Sequence, residues 1–198
     1  MFTESLNIKI PDGEITFHQG FYNLEESHRL KQLLIKTIDW TQDEVIVYGK
    51  RHKIPRLNAW YGNEGKVMKY SGLTLESKKW TKELLEIKSK IEEATGTKFN
   101  SCLLNYYRNG SDGMGWHQDN EKELGKNPII ASVTFGETRP FQLKHISNKE
   151  LKKVDIPLSN GSLLIMAGET QHYWKHQIPK TTREIKERVN LTFRNIIN

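Results

Sequence analysis

At 198 residues and 23.1 kDa the chain sits at the upper end of what one hydrophobic core serves, so a single domain with decorations is expected and two full domains are not. Hydrophobic residues at 36%, charged residues at 27%, a mean hydropathy of −0.68 and 5 Trp, 7 Tyr and 7 Phe describe a globular chain and exclude wholesale disorder. No run approaches the roughly eighteen apolar residues of a membrane span, and the start MFTESLNIKIPDGE has neither a basic nor an apolar leader region. The expectation is therefore an intracellular monomer, cytoplasmic or nucleoid/nuclear, without a membrane partner.

In chain order, LNIKI and EITFHQGF read as short strands split by the turn signal Pro11-Asp12-Gly13. Apolar residues at helical spacing predict one helix over 24–38 and a second over 77–95, the latter stopped by Gly96. Between them, residues 50–80 carry eight basic and two acidic side chains, which is the whole net charge of +6. Interleaved with Tyr48, Trp60, Tyr61 and Tyr70, this stretch has the composition of a polyanion-binding face. From about residue 98 the texture changes to eight short apolar or alternating runs: NSCLLNYY, GMGWHQD, IIASVTFG, RPFQLKH, KKVDIPL, GSLLIMA, TQHYWKH and RVNLTFRNI. Runs of this kind, bounded by Gly, Pro, Asn and Asp, predict an antiparallel sandwich or jelly-roll barrel backed by N-terminal helices. The single Cys102, in an apolar run, is expected to be core packing.

In His117-Gln118-Asp119 a period of two puts an imidazole and a carboxylate on one face, enough for two positions on a metal. A second histidine from a later strand, His172 or His176, would complete a two-His-one-carboxylate site of the kind that holds non-haem iron with positions left open. Over 188–194, RVNLTFR, Arg188, Asn190, Thr192 and Arg194 share one face while Val189, Leu191 and Phe193 share the other. Two guanidinium groups on an inward face demand anionic partners, and a small dicarboxylate would supply both. Asn105 and Tyr107, also two apart, add neutral donors.

The stretches YGKRHKIPR, YSGLTLESKKW, LLNYYRNGSDGMGWHQDNEKEL, PIIASVTFGETRPF, LSNGSLLIMAGETQHYWKHQIPK and RVNLTFR together resemble the AlkB family of Fe(II)- and 2-oxoglutarate-dependent dioxygenases, closest to its duplex-DNA alkylation-repair branch. The resemblance covers roughly residues 45–198. It implies a mostly β fold with flanking α: a double-stranded β-helix (jelly-roll) core over 98–198, with N-terminal helices and a nucleotide-recognition lid over 1–97, all in one dioxygenase domain. It implies Fe(II) on His117, Asp119 and His176, 2-oxoglutarate on Asn105, Tyr107, Arg188, Asn190 and Arg194, and O2 as oxidant. The implied reaction is demethylation of alkylated DNA bases of the 1-methyladenine and 3-methylcytosine type, releasing succinate, CO2 and formaldehyde, with no further catalytic side chain.

For substrate contacts the resemblance implies Tyr70 as a stacking ring, Glu121 as an acid for the cationic base, Arg56 beside them, and Tyr48 as a finger filling the gap left by a flipped base. Met68 departs from the duplex-repair branch, which has an aromatic residue there. The competing readings are a dioxygenase acting on modified RNA or on a protein side chain, and a non-catalytic nucleic-acid-binding module. The basic aromatic stretch argues against a protein substrate, and the complete ligand set argues against lost catalysis.

Overall fold

The computed structural model describes residues 5–47, 49–65, 67–70 and 73–197, with backbone only at 46–47, 67–70 and 73–76. Strands β1 (Ser5–Ile10) and β2 (Gly13–His18) form a hairpin, followed by α1 (Leu24–Thr37). Two further hairpins, β3 (Glu44–Val47) with β4 (Lys50–Lys53) and β6 (Val67–Tyr70) with β7 (Leu73–Glu76), flank β5 (Leu57–Gly62) in sequence. After α2 (Lys82–Thr95) come β8 (Ser101–Tyr107), β9 (Met114–His117), β10 (Ile130–Gly136), β11 (Arg139–His145), β12 (Val154–Leu158), β13 (Leu163–Ala167), the short α3 (Thr170–Tyr173), β14 (Trp174–Ile178) and β15 (Arg188–Arg194).

Each of the eight predicted runs after residue 98 contains a strand, and these strands divide between two antiparallel sheets. The larger has the order β1-β2-β13-β10-β15-β8-β5 and the smaller β12-β11-β14-β9. This is the expected jelly roll, its larger sheet widened by three strands from the N-terminal half. The helices differ from expectation at their ends. Helix α2 begins at Lys82 because the Thr81 side chain accepts the Leu84 N–H and caps it, and it stops at Gly96, whose φ of 65° closes the C-terminus. Thr170–Tyr173, read as part of a strand, is a helical turn: the Thr170 hydroxyl bonds the Ala167 carbonyl and accepts the Glu14 N–H, tying the segment to β2.

Alternation along the strands separates two cores. Val133, Leu104, Leu191 and Phe193 point outward from the larger sheet against Leu34 of α1 and Leu84, Ile87 and Ile91 of α2. Cys102 joins this layer, and burial pushes its thiol well up from its ordinary value. Phe141, Leu143, Leu158 and Trp174 of the smaller sheet meet Ile130, Leu164 and Met166 of the larger one between the sheets. The helices thus cover the outer face of the larger sheet, which leaves its inner face free to carry polar residues. Among the described residues no helix is long and apolar enough to cross a membrane.

Leu34 is 0% exposed whereas Leu24, on the same helix, is 75% exposed. Leu34→Ala is expected to lower unfolding free energy by about 2–5 kcal/mol in urea melts, and Leu24→Ala by no more than about 0.5. Equal effects would mean that α1 does not hold its place through this apolar contact.

Candidate active site

Between the sheets lies a cavity lined by His117, Asp119 and His176 at one side and by Arg188, Asn190, Thr192 and Arg194 at the other. One ligand atom from each of His117, Asp119 and His176 lies within 4.8 Å of the other two. His117 and His176 are directly opposite across the β9–β14 pairing, their ring centres 4.2 Å apart. Phe141 stacks on His176 at 5.0 Å and fixes the plane of its ring. The Gly115 carbonyl accepts from His117 Nδ1 at 2.9 Å; since a carbonyl only accepts, Nδ1 carries the proton and Nε2 keeps its lone pair. His172 is exposed, with Nε2 on Asn127 Oδ1 at 2.9 Å, and stands outside the cluster.

Asp119 converges with the histidines for a different reason than strand alternation. Strand β9 ends at His117, and Asp119 is placed by Gln171, whose Oε1 accepts the Asp119 N–H at 2.9 Å. Gln171, fully buried on α3, was not singled out by the sequence because a glutamine in a strand-like run carries no recognisable signal. Asp119 is 3% exposed and pairs with Arg194 Nη2 at 2.7 Å. Burial alone would raise its pKa, but Arg194 and then the histidines hold it well below the usual carboxylate range. Burial lowers both imidazoles, His176 to about 3, so each is neutral and able to bind a metal at neutral pH.

The arginine side of the cavity follows the predicted alternation. Arg188 faces Tyr107 and Asn190 faces Asn105 in the β15–β8 register, and with Arg194 all five expected anchors line the same cavity. Arg188 is 1% exposed. Its Nη2 donates to Thr134 Oγ1 at 3.0 Å and Asn190 Oδ1 at 2.7 Å, and no carboxylate pairs with it among the described residues. Burial lowers its pKa to about 10, with the nearby Arg139 adding to the effect. Arg139, which sequence reading did not select, is itself buried and donates to the carbonyls of Asn109, Asp112 and Pro179.

Arg56 was expected at the substrate, and in the structure its side chain is bonded to Asn105 of the cavity wall. It is buried, donating through Nε to Asn105 Oδ1 at 2.7 Å and so orienting that amide. Glu121 follows the ligand segment, with burial raising its pKa above the ordinary value against the pull of Arg194. Tyr48 and the side chain of Tyr70 lie outside the described residues.

The side chains present fit iron and 2-oxoglutarate. The buried polar atoms without a protein partner include His176 Nδ1, Arg188 Nε and Nη1, Arg194 Nε and Glu121 Oε2. An unpaired guanidinium this deeply buried is costly unless an anion arrives beside it, and two imidazoles with one carboxylate are the donor set of a facial iron site.

Residues 14–194 match the family model of the 2OG-Fe(II) oxygenase superfamily, and the chain belongs to this superfamily and, within it, to the AlkB family. It is 41% identical over 185 residues to alpha-ketoglutarate-dependent dioxygenase alkB homolog 3 of Bos taurus, a match spanning 89% of this chain and 64% of that protein. The Homo sapiens alkB homolog 3 is 40% identical over 192 residues, spanning 93% of this chain and 66% of that one, so the chain covers about two thirds of the length of these relatives. DNA oxidative demethylase ALKBH2 of Mus musculus is 40% identical over 160 residues, 78% of this chain and 67% of that protein. Identity to alkB homolog 3 and to ALKBH2 is therefore about equal. The solved structure of OsALKBH1 shares the fold, with a TM-score of 0.67 over 96% of this chain and 100% of that chain at 16% identity.

Two measurements test the site. His176→Ala should abolish tight Fe(II) binding by titration while His172→Ala retains it; the reverse pattern would reassign the distal ligand. In thermal melts, 2-oxoglutarate with Mn(II) should stabilise the wild type and fail to stabilise Arg188→Met. Without ligand, Arg188→Met should be at least as stable as the wild type, because an apolar chain replaces a buried unpaired cation. A ligand-free loss of several kcal/mol would show Arg188 to be an internal strut.

Proposed function

We propose that this protein is an oxidative demethylase of N-alkylated nucleic-acid bases, with alkylated DNA as substrate and RNA as the alternative. The observation that carries the reading is the buried Arg188 guanidinium, without a counter-charge among the described residues, sharing one cavity with three converging metal-binding side chains. A small dicarboxylate can satisfy that charge and reach the metal at once. The substrate class is supported by the cationic β4 strand, by Glu121 and by the relatives named as DNA oxidative demethylases.

His117, Asp119 and His176 would hold Fe(II), and Arg188 and Arg194, with Asn105, Tyr107 and Asn190, would hold 2-oxoglutarate. When bound, these two supply C–H hydroxylation by O2, with 2-oxoglutarate leaving as succinate and CO2 and the hydroxylated N-methyl group as formaldehyde. The chain's own contributions are positional and electrostatic. Asn190 accepts from Arg188, Ser132 and Thr134 and aims the guanidinium into the cavity. Leu103, Met114, Phe141 and Ile178 line the remaining walls and exclude water, which strengthens every charge contact inside. Glu121, with one carboxylate oxygen buried and unpartnered, can meet the positive charge of a methylated base. The β3–β4 and β6–β7 hairpins would form the nucleotide-recognition lid, and Tyr48 and Tyr70 would be its base contacts.

The test is release of succinate and formaldehyde from methylated single-stranded, duplex and RNA oligonucleotides with Fe(II) supplied; no release from any of them would end this reading. Glu121→Ala should lower kcat/KM about tenfold or more on cationic 1-methyladenine, the scale of a desolvated charge pair, and much less on neutral 1-methylguanine. Equal losses on both bases would remove Glu121 from the lesion pocket.

A further inference from the structure

The strands that present the iron-binding residues inward carry a different set of side chains on their other face. Trp116 precedes His117 on β9 and Lys175 precedes His176 on β14, while Lys144 lies on β11 opposite Lys175 in register. Lys144 Nζ lies 4.3 Å from the centre of the half-buried Trp116 ring, and Lys153 Nζ, just ahead of β12, lies 5.8 Å from it. Like charges directly opposite on a sheet repel. Among the described residues, none of these three lysines forms an ion pair with a carboxylate. Two of these cations lie against the ring and the third stands opposite Lys144; Asp155, opposite Gln142 on the same face, ion-pairs with none of them, so the face carries a net positive charge.

An occupant of this face must be anionic and must offer a flat group to the ring. A single-stranded nucleic acid has both, phosphates and an unpaired base; a duplex offers its phosphates but keeps its bases stacked inside. We propose that the outer face of the four-stranded sheet is a second nucleic-acid contact, where Trp116 stacks an unpaired base and Lys144, Lys153 and Lys175 take the flanking phosphates. The proposal rests on the nucleic-acid reading above and adds a place for unpaired substrate on the reverse of the iron-binding strands. Because β9 is the edge strand of its sheet, a nucleic-acid chain can round it from one face to the other. Lys144 covers the ring in the free protein, and its flexible stem lets an arriving base displace the ammonium onto a phosphate.

The test needs no turnover. Binding of an unmodified, labelled single strand of about fifteen nucleotides, and of a duplex of equal length, is followed by fluorescence anisotropy over a salt series with the full chain. The triple substitution Lys144→Gln, Lys153→Gln and Lys175→Gln should reduce the slope of log affinity against log salt on the single strand by about 2, near 0.7 for each phosphate that is no longer neutralised. Trp116→Ala should weaken single-strand binding at least about fivefold and duplex binding far less, with Trp116→Phe restoring it. An unchanged slope in the triple variant overturns the proposal, as does equal weakening of single strand and duplex by Trp116→Ala. The triple variant involves only partly or fully exposed side chains and so remains readable if Trp116→Ala disturbs folding beside His117. Absence of turnover on methylated oligonucleotides together with these binding changes would overturn the demethylase reading and leave this face standing; turnover with unchanged binding would do the opposite.

Discussion

The constraint on which the rest of the structure depends is a positive charge placed where water cannot reach it. Arg188 opens β15, an interior strand of the larger sheet, and folding must strip its guanidinium of solvent with no carboxylate among the described residues to replace it. The neighbouring polar side chains follow from that cost. Thr134 accepts directly, and Asn190 accepts from Arg188 while Ser132 and Thr134 donate to the same oxygen, so the row of neutral groups across β10 and β15 polarises as a unit. Arg139 lies close by with its own charge directed at backbone carbonyls. The result is a surface with spare donors and an electropositive interior, suited to an anion and unfavourable without one.

That surface becomes a site only because the second sheet faces it. The metal-binding histidines belong to the smaller sheet and the arginines to the larger, and the Asp119–Arg194 pair joins the two sets. A one-residue slip of either β14 or β15 would turn every relevant side chain away from the cavity. The apolar layers above and below therefore act on function through register. Between the sheets Phe141 both packs the core and stacks on His176, so core packing and ligand orientation are one interaction. Behind the larger sheet the helices bury its outer face, which is why its inner face can be given over to polar groups.

The smaller sheet divides its labour by the same alternation. Its inner face supplies imidazoles and apolar packing, and its outer face gathers Trp116 with lysines that form no ion pair among the described residues. In these strands a residue that binds metal is followed or preceded by one that faces solvent. The chemistry inside and the charge outside are thus set at fixed distance from each other by the backbone itself.

Periodicity made much of this legible in the amino-acid sequence: the eight runs of the barrel, the RVNLTFR alternation that turns Arg188, Asn190, Thr192 and Arg194 to one side, and the pairing of Asn105 with Tyr107 are period-two patterns that a strand must obey wherever it lies. Other features depended on contacts between residues far apart in the chain. Asp119 is held by Gln171, Thr170–Tyr173 coils because a hydroxyl ties it to β2, and Arg56 turns inward because the Asn105 amide lies above it. Composition placed Arg56 in the basic stretch over 50–80; in the structure it is buried and bonded to Asn105. Local pattern specifies which face of an element a side chain occupies, whereas the partner it meets there is set by packing of distant strands, and that was decided only by the tertiary structure.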